Sequence, residues 1–147
     1  MAARRTRGAA GARYRAGHKV RTEVLGAEHV ARSRANETAF DAAFQRFLTE
    51  AAWGSVWARP GLDRRTRSLI TIAILAALGR REELGLHLRA SRNVGVPRGE
   101  IAEMLLHVAV YAGVPAANTA FAVAKSELAT PAPRARRPAR RGRTRTP

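Results

Sequence analysis

The chain contains no cysteine. That absence removes a disulfide framework, thiol redox chemistry, a cysteine nucleophile and cysteine-based zinc sites. Long apolar runs are also missing, and none approaches the roughly 20 residues that a bilayer-spanning helix needs. The start, MAARRTRGAAGARYRAGHKV, is basic but has no apolar stretch of the kind a secretory signal carries. A mitochondrial-type presequence fits its composition, but Gly8, Gly11 and Gly17 weaken an amphipathic helix there. Acids are scarce: 11 Asp+Glu stand against 27 Lys+Arg, a formal charge of +16 over 147 residues. Aromatic residues make up only 5%, which leaves little for stacking on bases.

The excess charge is unevenly placed. Residues 1–19 carry Arg4, Arg5, Arg7, Arg13, Arg15 and Lys19 and no acid. Residues 131–147 carry seven arginines, four prolines and no large apolar side chain. Both flanks read as disordered, because neither offers a core to offset its ordering entropy. They suit non-specific neutralisation of phosphates, as in nucleic acid, and not sequence reading. Residues 20–130 hold all 11 acids against the remaining 14 basic residues, so the body is close to neutral. Its length suits one domain.

The body is predicted to be all-α, with five to six helices. Residues 20–34 form one or two short pieces broken at Gly26. Asn36 suits an N-cap for a helix bearing Phe40, Phe44, Phe47 and Leu48, which runs to about Ala52. An aromatic turn, Trp53-Gly54-Ser55-Val56-Trp57, then leads into the loop Arg59-Pro60-Gly61-Leu62. Asp63 is expected to cap a helix that is apolar nearly all round from Leu69 to Leu78, the pattern of a buried central helix. Gly79, Gly95 and Gly113 mark helix ends, and Pro97 and Pro115 suit first turns. The last helix extends to about Leu128.

Three groups of residues could carry chemistry. His87 lies four residues after Glu83, so the two share a helix face with the small residues Ala90 and Ser91. They read either as an acid/base centre or as a half-buried histidine held within its helix. His107 shares a face with Glu100, Glu103 and Tyr111, as a second site histidine or as a residue at a helix or subunit boundary. Arg64, Arg65 and Arg67 crowd a helix first turn, where the macrodipole disfavours cations and anions bind, with Arg59 just upstream. Either Asp63 and other acids offset them or an anionic ligand does. No HExxH or similar pair occurs, so no metal site is expected. His18 and His29 carry no assignment, and the tryptophan pair reads as packing.

Two long segments, WGSVWARPGLDRRTRSLITIAILAALGRREELGLHLRA and VGVPRGEIAEMLLHVAVYAGVPAANTAFAVAK, resemble the carboxymuconolactone decarboxylase family of protocatechuate (β-ketoadipate) catabolism. The upstream segment from Gly17 to Gly54 is similar to it too, so the likeness spans about residues 20–130. In the wider alkylhydroperoxidase-like superfamily a cysteine precedes the site histidine by four residues. Glu83 stands at that spacing here, which places the chain in the cysteine-free branch. The resemblance implies an AhpD-like helical domain in a cytoplasmic homo-oligomer, most simply a hexamer. It also implies cofactor-independent decarboxylation of 4-carboxymuconolactone to 3-oxoadipate enol-lactone and CO₂. In that reading His87, Glu83 and His107 act in catalysis, and Arg59, Arg64, Arg67 and Tyr111 hold the substrate. The alternatives are a relative acting on a different lactone or keto acid, and a basic-tailed binding protein on the same scaffold.

Overall fold

The computed structural model describes residues 2–129, and that span is made of helices joined by short turns and loops. Seven α-helices run in order: α1 (Ala2–Leu25), α2 (Ala27–Ala35), α3 (Ala42–Leu48), α4 (Arg64–Ala77), α5 (Arg81–Ala90), α6 (Arg98–Tyr111) and α7 (Val114–Ala129). A π-helical segment, Thr49–Trp57, continues α3, and a 3₁₀ turn, Ser91–Val94, continues α5. The all-α expectation holds, with a helix count slightly above five to six. The expected C-terminal tail, residues 131–147, lies outside the described residues.

The proposed break between a loose N-terminal flank and the body, at residue 19, falls inside α1. The reason is a backbone contact. A Cβ on Gly17 would meet the Thr49 carbonyl oxygen and lie 2.7 Å from the Gly54 nitrogen. A Cβ on Gly54 would meet the Arg13 carbonyl, 3.0 Å from its carbon. Two glycines thus let α1 lie directly on the π-helical segment. A residue read as a helix breaker serves here as a contact that no larger residue can make.

Two apolar clusters result. The larger joins α4, α5, α6 and α7 through Ile72, Leu84, Leu88, Ile101, Leu105 and their neighbours. On α7 its contributions are Ala117, Ala120, Ala124 and Leu128, mostly small residues that admit close helix approach. The smaller joins α1 to the π-helical segment through Val20, Val24 and Trp53, and Val94 touches both clusters.

Gly26 breaks α1 from α2 at φ 91°, and the side chain of Asn93 donates to the Val24 carbonyl just before the break (2.9 Å). Asp63 caps α4 as expected, its carboxylate accepting from the Thr66 amide at 2.6 Å. Asn36 does not start α3. It closes α2, and a turn pinned by Asp41 accepting from Thr38 delays α3 to Ala42. Phe40, Phe44 and Phe47 consequently face solvent. The helix α4 is buried on one side only: Ser68, Ile72 and Ala76 are enclosed, whereas Ile70, Ile74 and Leu78 are exposed.

The glycine contact gives a direct test. Gly17→Ala or Gly54→Ala should destabilise the protein by about 3 kcal/mol, as overpacking against rigid backbone does. Gly11→Ala, whose new methyl meets only the far end of the Arg15 side chain, should be neutral or slightly stabilising. Denaturant unfolding of the three variants measures the difference.

Candidate active site

The sequence Thr-Glu-Ala-Ala-Trp-Gly-Ser-Val-Trp forms a π-helix and not a turn. The Ser55 hydroxyl donates to the Glu50 carbonyl five residues back (2.9 Å), and the Ala58 amide bonds the Trp53 carbonyl at the same spacing (2.9 Å). Such segments recur at functional sites, because the widened turn redirects side chains. Here it brings Trp53 and Trp57 face to face, ring centroids 4.9 Å apart.

Both indoles lie against His87 of α5. The imidazole is nearly parallel to Trp53 (6.5 Å, 8°) and stacked on Trp57 (6.3 Å, 23°). The Nδ1 atom of His87 is buried and has no hydrogen-bond partner. Burial holds the imidazole neutral and pushes its pKa down to about 4, with the positive charge of His29 acting in the same direction and Glu83 opposing. Glu83 itself is exposed and makes no hydrogen bond to His87. The expected Glu83–His87 pair is therefore a weak electrostatic neighbourhood, not a bonded dyad.

His29, which carries no assignment from sequence, sits on α2 where the fields of Arg21, Arg32 and Arg89 add to desolvation in lowering its own pKa. Nothing in its local sequence marks it. Its importance comes from α2 folding back toward α5, a tertiary event.

The other candidates lie apart from this cluster. The rings of His107 and Tyr111 lie 4.7 Å apart at a tilt of 39° and line an open apolar groove with Ile74, Ala77 and Met104. Arg64 pairs with Glu23 of α1, and Arg65 with Glu100 of α6. Arg67 donates through Nε to the Leu62 carbonyl and through Nη2 to the Arg59 carbonyl, both at 3.2 Å, so it clamps the loop before α4. Acids and carbonyls thus absorb most of the charge crowding at the start of α4. The guanidinium of Arg59 has no ion pair or hydrogen bond among the described residues. No hydrogen bond, ion pair or ring contact described joins the His87 cluster, the His107–Tyr111 groove and the arginine loop within one chain. Among the described residues no three His, Asp or Glu side chains cluster in a metal-holding arrangement, and no helix is long and apolar enough to cross a membrane.

Residues 42–126, from α3 into α7, match the carboxymuconolactone decarboxylase family. The chain belongs to that family. It is 55% identical over 113 residues to the 4-carboxymuconolactone decarboxylase of Acinetobacter baylyi, covering 77% of this chain and 84% of the relative. It is 46% identical over 112 residues to the nitrosuccinic acid decarboxylase of Metarhizium robertsii, covering 76% and 78%. The matched region contains the π-helical segment, both tryptophans, His87, His107 and the arginine loop.

The depressed His87 pKa has a consequence for stability. The unfolded chain takes up this proton near the ordinary histidine value, and the folded chain resists until about pH 4. Its contribution is therefore present above pH 6.5 and is lost as pH falls toward 4, amounting to roughly 3 kcal/mol. NMR titration of the His87 ring should give a midpoint near 4, and His87→Gln should remove that part of the acid destabilisation.

Proposed function

We propose that the protein is a carboxy-lyase that converts 4-carboxymuconolactone to 3-oxoadipate enol-lactone and CO₂. The observation that carries this reading is the half-buried, neutral His87 beneath the tryptophan pair, its enclosed Nδ1 without a hydrogen-bond partner, in a chain whose relatives over about three quarters of its length are named as decarboxylases. Those names also weigh against a non-catalytic binding protein.

The chemistry follows from the substrate. The bond between the ring carbon and its carboxylate breaks, and the electron pair moves through the ring double bond onto the lactone carbonyl oxygen. A proton then adds to the carbon next to that carbonyl, so the dianion takes up one proton and yields a monoanion and CO₂. The substrate is its own electron sink, and the proposed step uses no cofactor. Nitrosuccinic acid shares these features: two carboxyl groups, one on the carbon that bears an electron-withdrawing group.

Each protein group has an assigned part. His87 delivers the proton. It is neutral before binding, and a bound dianion favours its charged form, so the imidazole takes a proton from solvent as the substrate binds and passes it to the ring carbon. Arg59, whose guanidinium is uncommitted, anchors a carboxylate through its fork geometry. Arg64 and Arg67, also expected there, are engaged in holding α1 and the loop, and they act by fixing the position of Arg59. His107 and Tyr111 orient the lactone, and Glu83 biases the charge state of His87.

These groups meet only if copies of the chain assemble. The outer faces of α4 and α6 expose Ile74, Leu78, Val110 and Tyr111, at 52%, 66%, 75% and 78%. A contiguous apolar face of that kind marks an interface. Our reading is an AhpD-like homo-oligomer, a hexamer by family resemblance, in the cytoplasm.

Purified protein mixed with 4-carboxymuconolactone should release CO₂. Turnover of nitrosuccinate in its place would move the assignment to that acid, and turnover of neither would defeat the lyase reading. His87→Ala should lower kcat by at least about 100-fold, and wild-type turnover by this variant would remove His87 from the mechanism. Arg59→Met should chiefly raise KM. In sedimentation, Ile74→Asp combined with Val110→Asp should give a smaller species than the parent, with little activity.

A further inference from the structure

Arg21, on the part of α1 that faces α3, is the one charged side chain in the buried set among the described residues, at 8% exposure. A guanidinium in that position usually meets a carboxylate. Here its partners are neutral and mostly long. Nη1 donates to Gln45 Oε1 and Thr49 Oγ1, both at 3.4 Å. Nη2 donates to Ser33 Oγ at 3.1 Å and again to Gln45 Oε1 at 3.4 Å. The Nε atom is buried with no partner. Burial lowers the Arg21 pKa, and Glu37 is near enough to oppose that shift without forming an ion pair.

Beside this side chain lies a partly open cavity of about 20 Å³, whose lining includes Tyr14, His18, Arg21, Ser33, Arg34 and Glu37. The volume holds about one water-sized sphere. It is far too small for a dicarboxylate, so it is not the substrate site. Arg21 and Arg34 outweigh Glu37 around it, and Tyr14 and His18 bring further hydrogen-bond donors. A water molecule would fill the space but leave Glu37 alone to offset two guanidinium groups, and an unbalanced charge is the costly part of burying a cation.

We propose that this cavity binds a single halide-sized anion, chloride in ordinary solution, against the Nε–H of Arg21. The site joins α1 to α2 through Ser33, to α3 through Gln45 and to the π-helical segment through Thr49. Its occupancy therefore strengthens the junction from which Trp53 and Trp57 extend.

The full chain is melted in chloride, bromide or gluconate at equal ionic strength, and as Arg21→Gln. Chloride and bromide should raise Tm saturably by roughly 3 °C over gluconate, and Arg21→Gln should abolish the difference. Crystals soaked in bromide give a second readout that does not depend on the variant folding. Anomalous scattering should show bromine in hydrogen-bonding contact with Arg21 Nε. A Tm equal in all three salts, or a halide effect unchanged in Arg21→Gln, would overturn the proposal. So would a cavity holding only water, or bromide found only on the outer surface as an adventitious ion.

Discussion

The organising constraint is the backbone-to-backbone contact between α1 and the π-helical segment at Gly17 and Gly54. Because the two elements touch without side chains between them, Val20 and Val24 reach Trp53 and enclose it. Trp53 in turn holds Trp57, and the two indoles cover His87. The burial that keeps His87 neutral is thus set by a contact on the far side of the tryptophans. The proton affinity of an imidazole on α5 depends on a packing decision made by α1, more than 60 residues earlier in the chain.

Electrostatics follows a similar logic of prior commitments. The start of α4 gathers three arginines where the helix dipole repels them. Glu23 and Glu100, from α1 and α6, each take one, and backbone carbonyls take the third. These exposed pairs add little stability individually, but they fix where α4 begins relative to its neighbours. Among the described residues, the arginine of this group that lies outside the helix, Arg59, has no ion pair or hydrogen bond through its guanidinium. A cluster that looked like one anion site is mostly architecture.

Much of the fold was legible because helix punctuation is local chemistry. Asp63 as a cap, the Gly79 and Gly113 stops and the entry at Pro115 depend on a few adjacent residues. Three features were not legible, for physical reasons. The glycines of α1 looked destabilising because helix propensity says nothing about a neighbouring backbone. The π-helical hydrogen-bond pattern of Thr49–Trp57 has no sequence period distinguishable from a turn with two tryptophans. The apolar surround of α4 was read as burial inside one chain, yet Ile70, Ile74 and Leu78 remain uncovered there. For the site, spacing placed Glu83 and His87 on one face correctly, but proximity did not produce a bond. His29, Trp53 and Trp57, which act on the imidazole through charge and packing, come from other elements.

The division into two apolar clusters sets how the molecule opens. The cost of a local opening scales with the apolar area it exposes. The smaller cluster has three fully enclosed members, and the larger has twelve. Fluctuations therefore reach the α1 side first, lifting the tryptophans while the four C-terminal helices stay closed. Amide exchange should be graded accordingly along the chain, and the ring of His87 meets water through that partial opening, well below the energy of global unfolding.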